Sequence, residues 1–422
     1  MSIRISTQTI YNIGVSQIGS LTSAMVHTQQ QLSTGLKNLN AADDPVASAR
    51  ALEVTQSQAI NTQLVTNRQN ANSSLSQEEV ALASTTSLIQ SVQTLAVQAG
   101  DGSLTQSDRQ SLATQLQGQL SDLLGQANTA DGAGGYLFSG YQSTTVPFTQ
   151  TPAGATYQGD QGQRVLQVGS TRQIPVTDSG SSIFENIPTG NGKFVTGVDP
   201  NNYTRGGTGI IAPGSVSDPT QLTGDSYAIN FSVTPSPTPG SPAVTTYTVM
   251  DTTLNQPVPA TPNPAVPVPY TSGGNIGFDG LQFQISGAPA DGDSFTVQPS
   301  QKQSLFTTVQ NLINALNAPS EGGPGQASLA NSLNQANSSL SNALDNVLTV
   351  RASVGSRLSE LDTLDSSGSD LNLQYSTTLS NLQDVDTVSA ISQYTQQQTN
   401  LDAAQKSFKT LSGLSLFNYI GT

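Results

Sequence analysis

Asp43 and Asp44 stand side by side before Pro45 in the stretch LNAADDPVASARAL, residues 39–52. Adjacent carboxylates can serve as half of a hydrolase pair, as cation ligands, or as the cap of a helix. Glycoside hydrolysis needs two carboxyl groups facing each other across a sugar, which sequence neighbours do not supply. Asp44 followed by Pro45 fits the third use. A capping carboxylate accepts the free amides of a first helical turn, and proline at the first position needs no donor. Both acids then lie near the positive end of the helix dipole. Asp43, Asp44 and Pro45 are therefore read as a helix start, separating a terminal segment from the longer helix behind it.

Other reactive constellations are scarce. The single histidine, His27, falls in an apolar helical pattern, so a multi-histidine metal site is excluded and a Ser-His-Asp triad has no nucleophile elbow to join. DGAGGYLFSG, residues 131–140, lacks the Gly-Lys-Ser/Thr of a phosphate loop and reads as a helix-to-strand connection. Asp291 and Asp293 in APADGDSF have no third acidic ligand nearby and read as a turn. No catalytic, cofactor-binding or metal-binding residue is assigned, and no cofactor is expected.

Composition narrows the classes further. Net charge is -14, from 28 acidic and 14 basic residues, which repels phosphate and argues against nucleic acid as a partner. Only 10% of residues are charged, so Ser, Thr, Gln and Asn carry the polarity. With no cysteine there are no disulfides or thiolate metal sites, which suits a chain that stays unfolded for a time without cross-linking. The opening MSIRISTQTIYNIGVSQIGS has one Arg and no continuous apolar run, unlike a standard secretory signal. No stretch is expected to supply the roughly 18 apolar residues of a membrane span, so no membrane insertion is expected. A length of 422 residues predicts several domains.

Proline shows where the elements divide. Of 22 prolines, 19 lie between Pro147 and Pro299. Proline breaks helices, so long helices are expected only in the flanks. In the C-terminal flank Leu333, Leu340, Val347, Val354 and Leu361 recur every seven residues, with Ala336, Ala343, Val350 and Leu364 between them and one interruption at Arg357. Leu75, Leu82, Ile89 and Ala96 answer in the N-terminal flank, followed by a helix carrying Leu112, Leu116, Leu120 and Leu123. Such spacing predicts coiled-coil seams. The middle holds RVLQVG, SYAINFSV, TTYTVMD, LQFQIS and DSFTV, which alternate as strands do. SPTPGSP and QPVPATPNPAVPVP are expected to be hairpin tips or loops, because proline is excluded from central strands.

The fold class is thus mainly α with a β insertion: long coiled-coil-like helices from both termini packed together, and an antiparallel β domain inserted in the middle. The expected divisions are 1–40 with 386–422 as terminal helices, 41–140 with 301–385 as a helical rod, and 141–300 as an outer β domain. The ends carry weaker apolar stripes, and isolated helices are marginal in water. They are expected to stay mobile until they meet partners, including other copies of the chain. The candidate subunit-interface residues are Ile10, Ile13, Ile18, Leu21, Met25 and Leu32 at one end. At the other they are Leu401, Phe408, Leu411, Leu414, Leu416 and Phe417.

QQLSTGLKNLNAADDPVASARAL is similar to the flagellin-type N-terminal signature, and LAVQAGDGSLTQSDRQSLATQL resembles the block that follows it. Within that family IRISTQTIY, GGYLFSGYQ, GAPADGDSFTV and DAAQKSFKTLSGLSLFNYI resemble the hook-filament junction members. The resemblance covers both flanks and the start and end of the β insert.

It implies a structural protein of the bacterial flagellum, not an enzyme. In that reading a ring of copies of the chain joins the hook, through the neighbouring hook-associated protein, to flagellin on the filament side. It also implies export in unfolded form by the flagellar type III apparatus, from a transient cytoplasmic stage in which a chaperone holds the C-terminal helices, to the cell exterior. A flagellin filament subunit is the nearest alternative. Against it, the ending GLSLFNYIGT is aromatic, and Ser91 and Gln115 stand where flagellins recognised by an innate receptor carry Arg and Glu. A secreted carbohydrate-binding protein or enzyme is the third reading.

Overall fold

The computed structural model describes residues 7–236, 242–259 and 266–413. Among these residues the α-helices are α1 (Thr7–Thr34), α2 (Pro45–Ala99), α3 (Gln106–Ala127), the single turn α4 (Asn202–Arg205), α5 (Leu305–Asn317), α6 (Gly322–Gln383) and α7 (Thr387–Gly413). The chain divides into two compact units, residues 1–66 with 363–422, and residues 67–362. Long helices thus come from both ends, and antiparallel β structure fills the middle.

The seven-residue frame of α2 is longer than its apolar residues reveal. Leu75, Leu82, Ile89, Val92, Ala96 and Ala99 are buried, and so at the same spacing are Asn61, Arg68, Glu78 and Thr85. On α6 the frame buries Leu333, Ala336, Leu340, Ala343, Val347, Val354 and Leu361. Cross-links show the two helices running antiparallel in the larger unit. Arg351 donates to Glu79 and, at 3.5 Å, to Thr86, and Gln93 donates to Ser341 at 3.4 Å. By length and composition one window of α2 is apolar enough to cross a membrane, contrary to the expectation from inspection. The frame gives that apolarity an internal use, and 39% of the window is buried within the protein.

α3 begins with a capping box: Asp108 N–H donates to Thr105 Oγ1, and the Asp108 carboxylate accepts from Thr105 N–H. α3 packs on α5, whose apolar face buries Leu305, Phe306, Val309, Leu312 and Leu316. Phe306 lies 4.9 Å from the Phe148 ring centroid and 5.7 Å from that of Phe184, in a buried aromatic cluster that includes Phe138. These rings hold the start of the β region to the helices.

Three small antiparallel pairs frame that region: β1 (Phe148–Thr151) with β2 (Gly154–Tyr157), β3 (Val165–Gln167) with β4 (Gln173–Pro175), and β5 (Ile187–Pro188) with β16 (Lys302–Gln303). The main sheet runs β11 (Gln256–Val258), β10 (Val244–Asp251), β9 (Tyr227–Thr234), β15 (Ser294–Pro299), β6 (Phe194–Val198), with β12 (Val268–Pro269) also on β10. A second sheet joins β13 (Asn275–Phe278), β14 (Leu281–Ser286), β7 (Ile210–Ile211) and β8 (Ser215–Val216). Phe194, Tyr227, Ile229, Phe231, Phe283, Ile285 and Phe295 belong to their common core. The proline-rich run 256–269 is not all loop, since β11 and β12 belong to it. Both lie at the edge of the sheet, where proline need not donate to a ladder. Of SPTPGSP, residues 237–241 fall outside the described set, but the pairing of Thr234 with Val244 makes the connection a hairpin.

Amides on one face of α6 tie the β region down. Asn331 donates to Gly209 O and accepts from Ile211 N–H, Asn342 donates to Pro188 O and Gly190 O, and Asn346 donates to Ser182 O and Ile183 O. Backbone carbonyls of the β region are thereby satisfied without charge. Arg357, the interruption in the α6 frame, grips Asp178 with two bonds of 2.9 and 3.1 Å. Asp178 N–H in turn donates to buried Glu78 at 3.2 Å. Burial and the adjacent Asp178 charge push the Glu78 carboxyl up to about 8, against the pull of Arg357.

A carboxyl whose pKa is raised on folding stabilises the protein fully below the unfolded value near 4.5, and this contribution is lost as pH rises through about 8. Stability is therefore predicted to fall across that window, by up to about 1.4 kcal/mol per pH unit. Glu78→Gln should flatten the decline in urea denaturation between pH 5.5 and 8.5. Equal slopes in the two proteins would rule Glu78 out as the source.

Candidate assembly interface on the terminal helices

In the unit formed by residues 1–66 and 363–422, α1 and α7 pack against each other in opposite directions. The Tyr11 and Phe408 rings lie 5.2 Å apart at one end of the pair. At the other end Val385 N–H donates to Gly35 O at 2.9 Å and Lys37 N–H to Gln383 O at 2.6 Å. Gly14 permits the close approach, because a β-carbon there would run into the Phe408 ring. α2 and α6 are joined within this unit by Asn61, which donates to Gly368 O at 2.8 Å, and by Gln58, which donates to Asn372 and Ser376.

Burial along α1 follows alternating steps of three and four. Gly14, Ile18, Leu21, Met25 and Leu32 are half-buried and Thr28 is buried. On α7 the matching set is Ala390 and Leu401, both buried, with Tyr394, Gln397, Ala404 and Phe408 half-buried. Gln397 is polar in this seam, and its Oε1 is buried without a hydrogen-bond partner. Ile18, Leu21, Met25, Leu32, Leu401 and Phe408 from the sequence-derived set therefore lie on the side where α1 and α7 meet. Ile10 and Ile13 lie off it, 42% and 57% exposed. Leu411 falls within α7 with its side chain outside the description, and Leu414, Leu416 and Phe417 lie outside the described residues.

The sequence-derived interface set omits Val15, Val26, Val388 and Ile391, all of them exposed apolar side chains on these helices. Their signal was available as apolar residues displaced by one or two positions from the main stripe. Of 24 exposed large apolar side chains among the described residues, 13 fall in this unit, which holds under a third of the described length. Exposed apolar side chains gathered into a patch mark an interaction site.

The helix start lies between α1 and α2. Ala47 N–H donates to Asp44 Oδ1 at 3.0 Å, and Pro45 is the first residue of α2. Asp43 Oδ2 accepts from both Asn40 N–H and Leu39 N–H at 2.9 Å and lies 3.8 Å from His27 Nε2. The Asn40 amide, with Leu39 and His27, holds the Asp43 carboxyl below the usual carboxylate range. His27 is half-buried on α1. Among the other acids, Asp131 accepts from Ala133 and Gly135 N–H, closing the glycine-rich turn. Asp291 accepts from Val233 N–H, and buried Asp293 accepts from Ala290 N–H. Among the described residues no group of three or more His, Cys, Asp or Glu is placed to hold a metal ion. These acids order backbone turns.

Residues 5–143 match the family described as the bacterial flagellin N-terminal helical region, and residues 244–299 match the flagellar hook-associated protein 1 D2-like domain. Flagellar hook-associated protein 3 of Salmonella typhimurium is 32% identical over 98% of this chain and 99% of its own length. The chain belongs to the flagellar hook-associated protein 3 family. Solved members share its fold. The crystal structure of hook-associated protein 3 from Legionella pneumophila superposes with a TM-score of 0.71 at 32% identity, covering 78% of this chain and 98% of that one. That of the flagellar junction protein FlgL from the same organism gives 0.69 at 33% identity, covering 79% and 100%. With the family come a structural role, a place in the bacterial flagellum and no enzymatic activity.

Two predictions follow from this geometry. Asp44→Ala removes the cap and should cost about 0.5–2 kcal/mol, read as faster hydrogen exchange in the first turn of α2. Leu401→Ala should destabilise the α1–α7 pair by about 2–5 kcal/mol, whereas Ile13→Ser and Ile391→Ser should leave monomer unfolding within about 0.5 kcal/mol. Comparable losses in all three variants would show that the outer set also packs within the monomer.

Proposed function

We propose that copies of this chain form a ring that joins the hook, through the neighbouring hook-associated protein, to the flagellin filament. The concentration of exposed apolar side chains on the unit containing α1 and α7 carries this reading. Ile10, Ile13, Val388 and Ile391 meet neighbouring subunits, while Ile18, Leu21, Met25, Leu32, Leu401 and Phe408 hold the two terminal helices together and complete their burial on assembly. Leu411, Leu414, Leu416 and Phe417 extend the apolar run in sequence. Burying one such large side chain gains about 1.5–3 kcal/mol. That is comparable with the roughly 1–2 kcal/mol of backbone entropy lost per ordered residue. Assembly thus depends on many side chains acting together.

In this reading residues 1–40 and 386–422 lie toward the axis, 41–140 with 301–385 form the rod, and 141–300 faces outward. Asp43, Asp44 and Pro45 mark where the rod begins. The chain crosses the envelope unfolded through the flagellar type III apparatus, after a cytoplasmic stage in which a chaperone holds the C-terminal helices. The absence of cysteine supports transit without cross-linking.

Deleting the gene tests the proposal. Hooks should remain, filaments should be lost and flagellin should appear in the medium, as seen by electron microscopy and gel analysis. Normal filaments would overturn it. Loss of filaments with no flagellin anywhere in the culture would make this chain the filament subunit itself. Ile10, Ile13, Val388 and Ile391 changed together to Ser should reproduce the deletion.

A further inference from the structure

A cavity of about 370 Å³ opens among the end of α2, the turn after it, α3 and the first turns of α6, all in the larger unit. Small and apolar residues form much of its wall, including Ala99, Ile210, Ala327, Ala330 and Leu333. Arg109 lines the cavity at 5% exposure. Its Nε is buried without a hydrogen-bond partner, and although the neighbouring Asp108 carboxylate feels its charge, no carboxylate closes on it as an ion pair among the described residues. Arg172, Arg351 and Arg357, by contrast, are each closed by a carboxylate. A buried guanidinium is costly unless an anion or strong acceptor meets it.

The cavity also reaches the positive end of a long helix. Gly323, in the first turn of the 62-residue α6, lines it. Amides of a first turn have no partner within their helix and favour negative charge. Asp101 lines the cavity too, and its Oδ1 is occupied by Ser103 N–H at 2.9 Å. The negative charge of Asp101 opposes a dianion such as phosphate more strongly than a group with a single negative charge.

We propose that this cavity binds a carboxylate carried on a short apolar chain. Its oxygens take the Arg109 guanidinium, and its apolar part lies against Ala327, Ala330 and Leu333. An acidic side chain of a second copy and a free aliphatic acid present the same chemistry. The proposal holds independently of the hook-filament reading.

The test follows the Arg109 Nε–H resonance of the full chain by nitrogen-proton NMR, assigned by its loss in Arg109→Gln. Hexanoate should shift it saturably and bind at least tenfold more tightly than acetate or inorganic phosphate, and hexanol should shift nothing. Ala330→Leu, which fills the cavity and keeps Arg109, should weaken hexanoate at least tenfold. The proposal is overturned by no saturable shift with hexanoate, by equal affinity for phosphate, by saturation with hexanol, or by undiminished hexanoate binding in Ala330→Leu. Once hexanoate binds as expected, a probe-free shift that grows with protein concentration and is reversed by hexanoate assigns the natural carboxylate to a second copy. A probe-free resonance independent of concentration assigns it to a free acid.

Discussion

Residues every seven positions along α2 and α6 are withdrawn from water, and the helical part of the chain depends on that burial. Neither helix would be secure alone, because helicity in water draws most of its stability from packing one face. Segments roughly at opposite ends of the chain must meet, so everything between them has to depart and return. Placing the β region as an insertion follows from this requirement, with the aromatic cluster of Phe148, Phe184 and Phe306 at its root.

A frame that carries Asn61, Arg68, Glu78 and Arg357 as well as leucines has to satisfy those polar groups. Asn61 donates to Gly368 O, Arg68 to Val168 O, and Arg357 and Glu78 converge on Asp178. Three of these contacts reach from the helices into loops of the β region. Polar interruptions in the seam therefore act as docking points for the inserted chain. The asparagines of α6 do the same with neutral amides, which costs less desolvation than charge would. This use of amides is in keeping with a chain in which only 10% of residues are charged.

The terminal helices divide their apolar residues between two tasks. One set, including Ile18, Leu21, Leu401 and Phe408, brings α1 and α7 together; the other, including Ile13, Val388 and Ile391, stays in water. The first confers a shape on the monomer and the second leaves it with surface to bury. The family relationship gives the protein a structural role in the flagellum, and unburied apolar surface of this kind is what the assembly proposed above would cover.

Much of the architecture was legible in the residues alone. Proline concentrated in the middle excluded long helices there, and steps of seven in the flanks demanded them, because each pattern leaves one way to bury apolar side chains. The Asp44-Pro45 junction could be read locally, since a cap needs only its own first turn. The partners of Glu78 and Arg357 could not, because Asp178 lies far away in sequence and only folding brings it between them. Nor could the residues of α1 alone show that Ile18 packs on its own chain while Ile13 is left in water. Which face a helix turns to its own chain is set by what packs there, and that depends on residues nearly 400 positions away, such as Phe408 against Gly14. Sequence determined which segments are helix and strand and how they must alternate. Tertiary structure decided which polar groups are buried together and which apolar ones are left in water, because both are properties of contacts between distant parts of the chain.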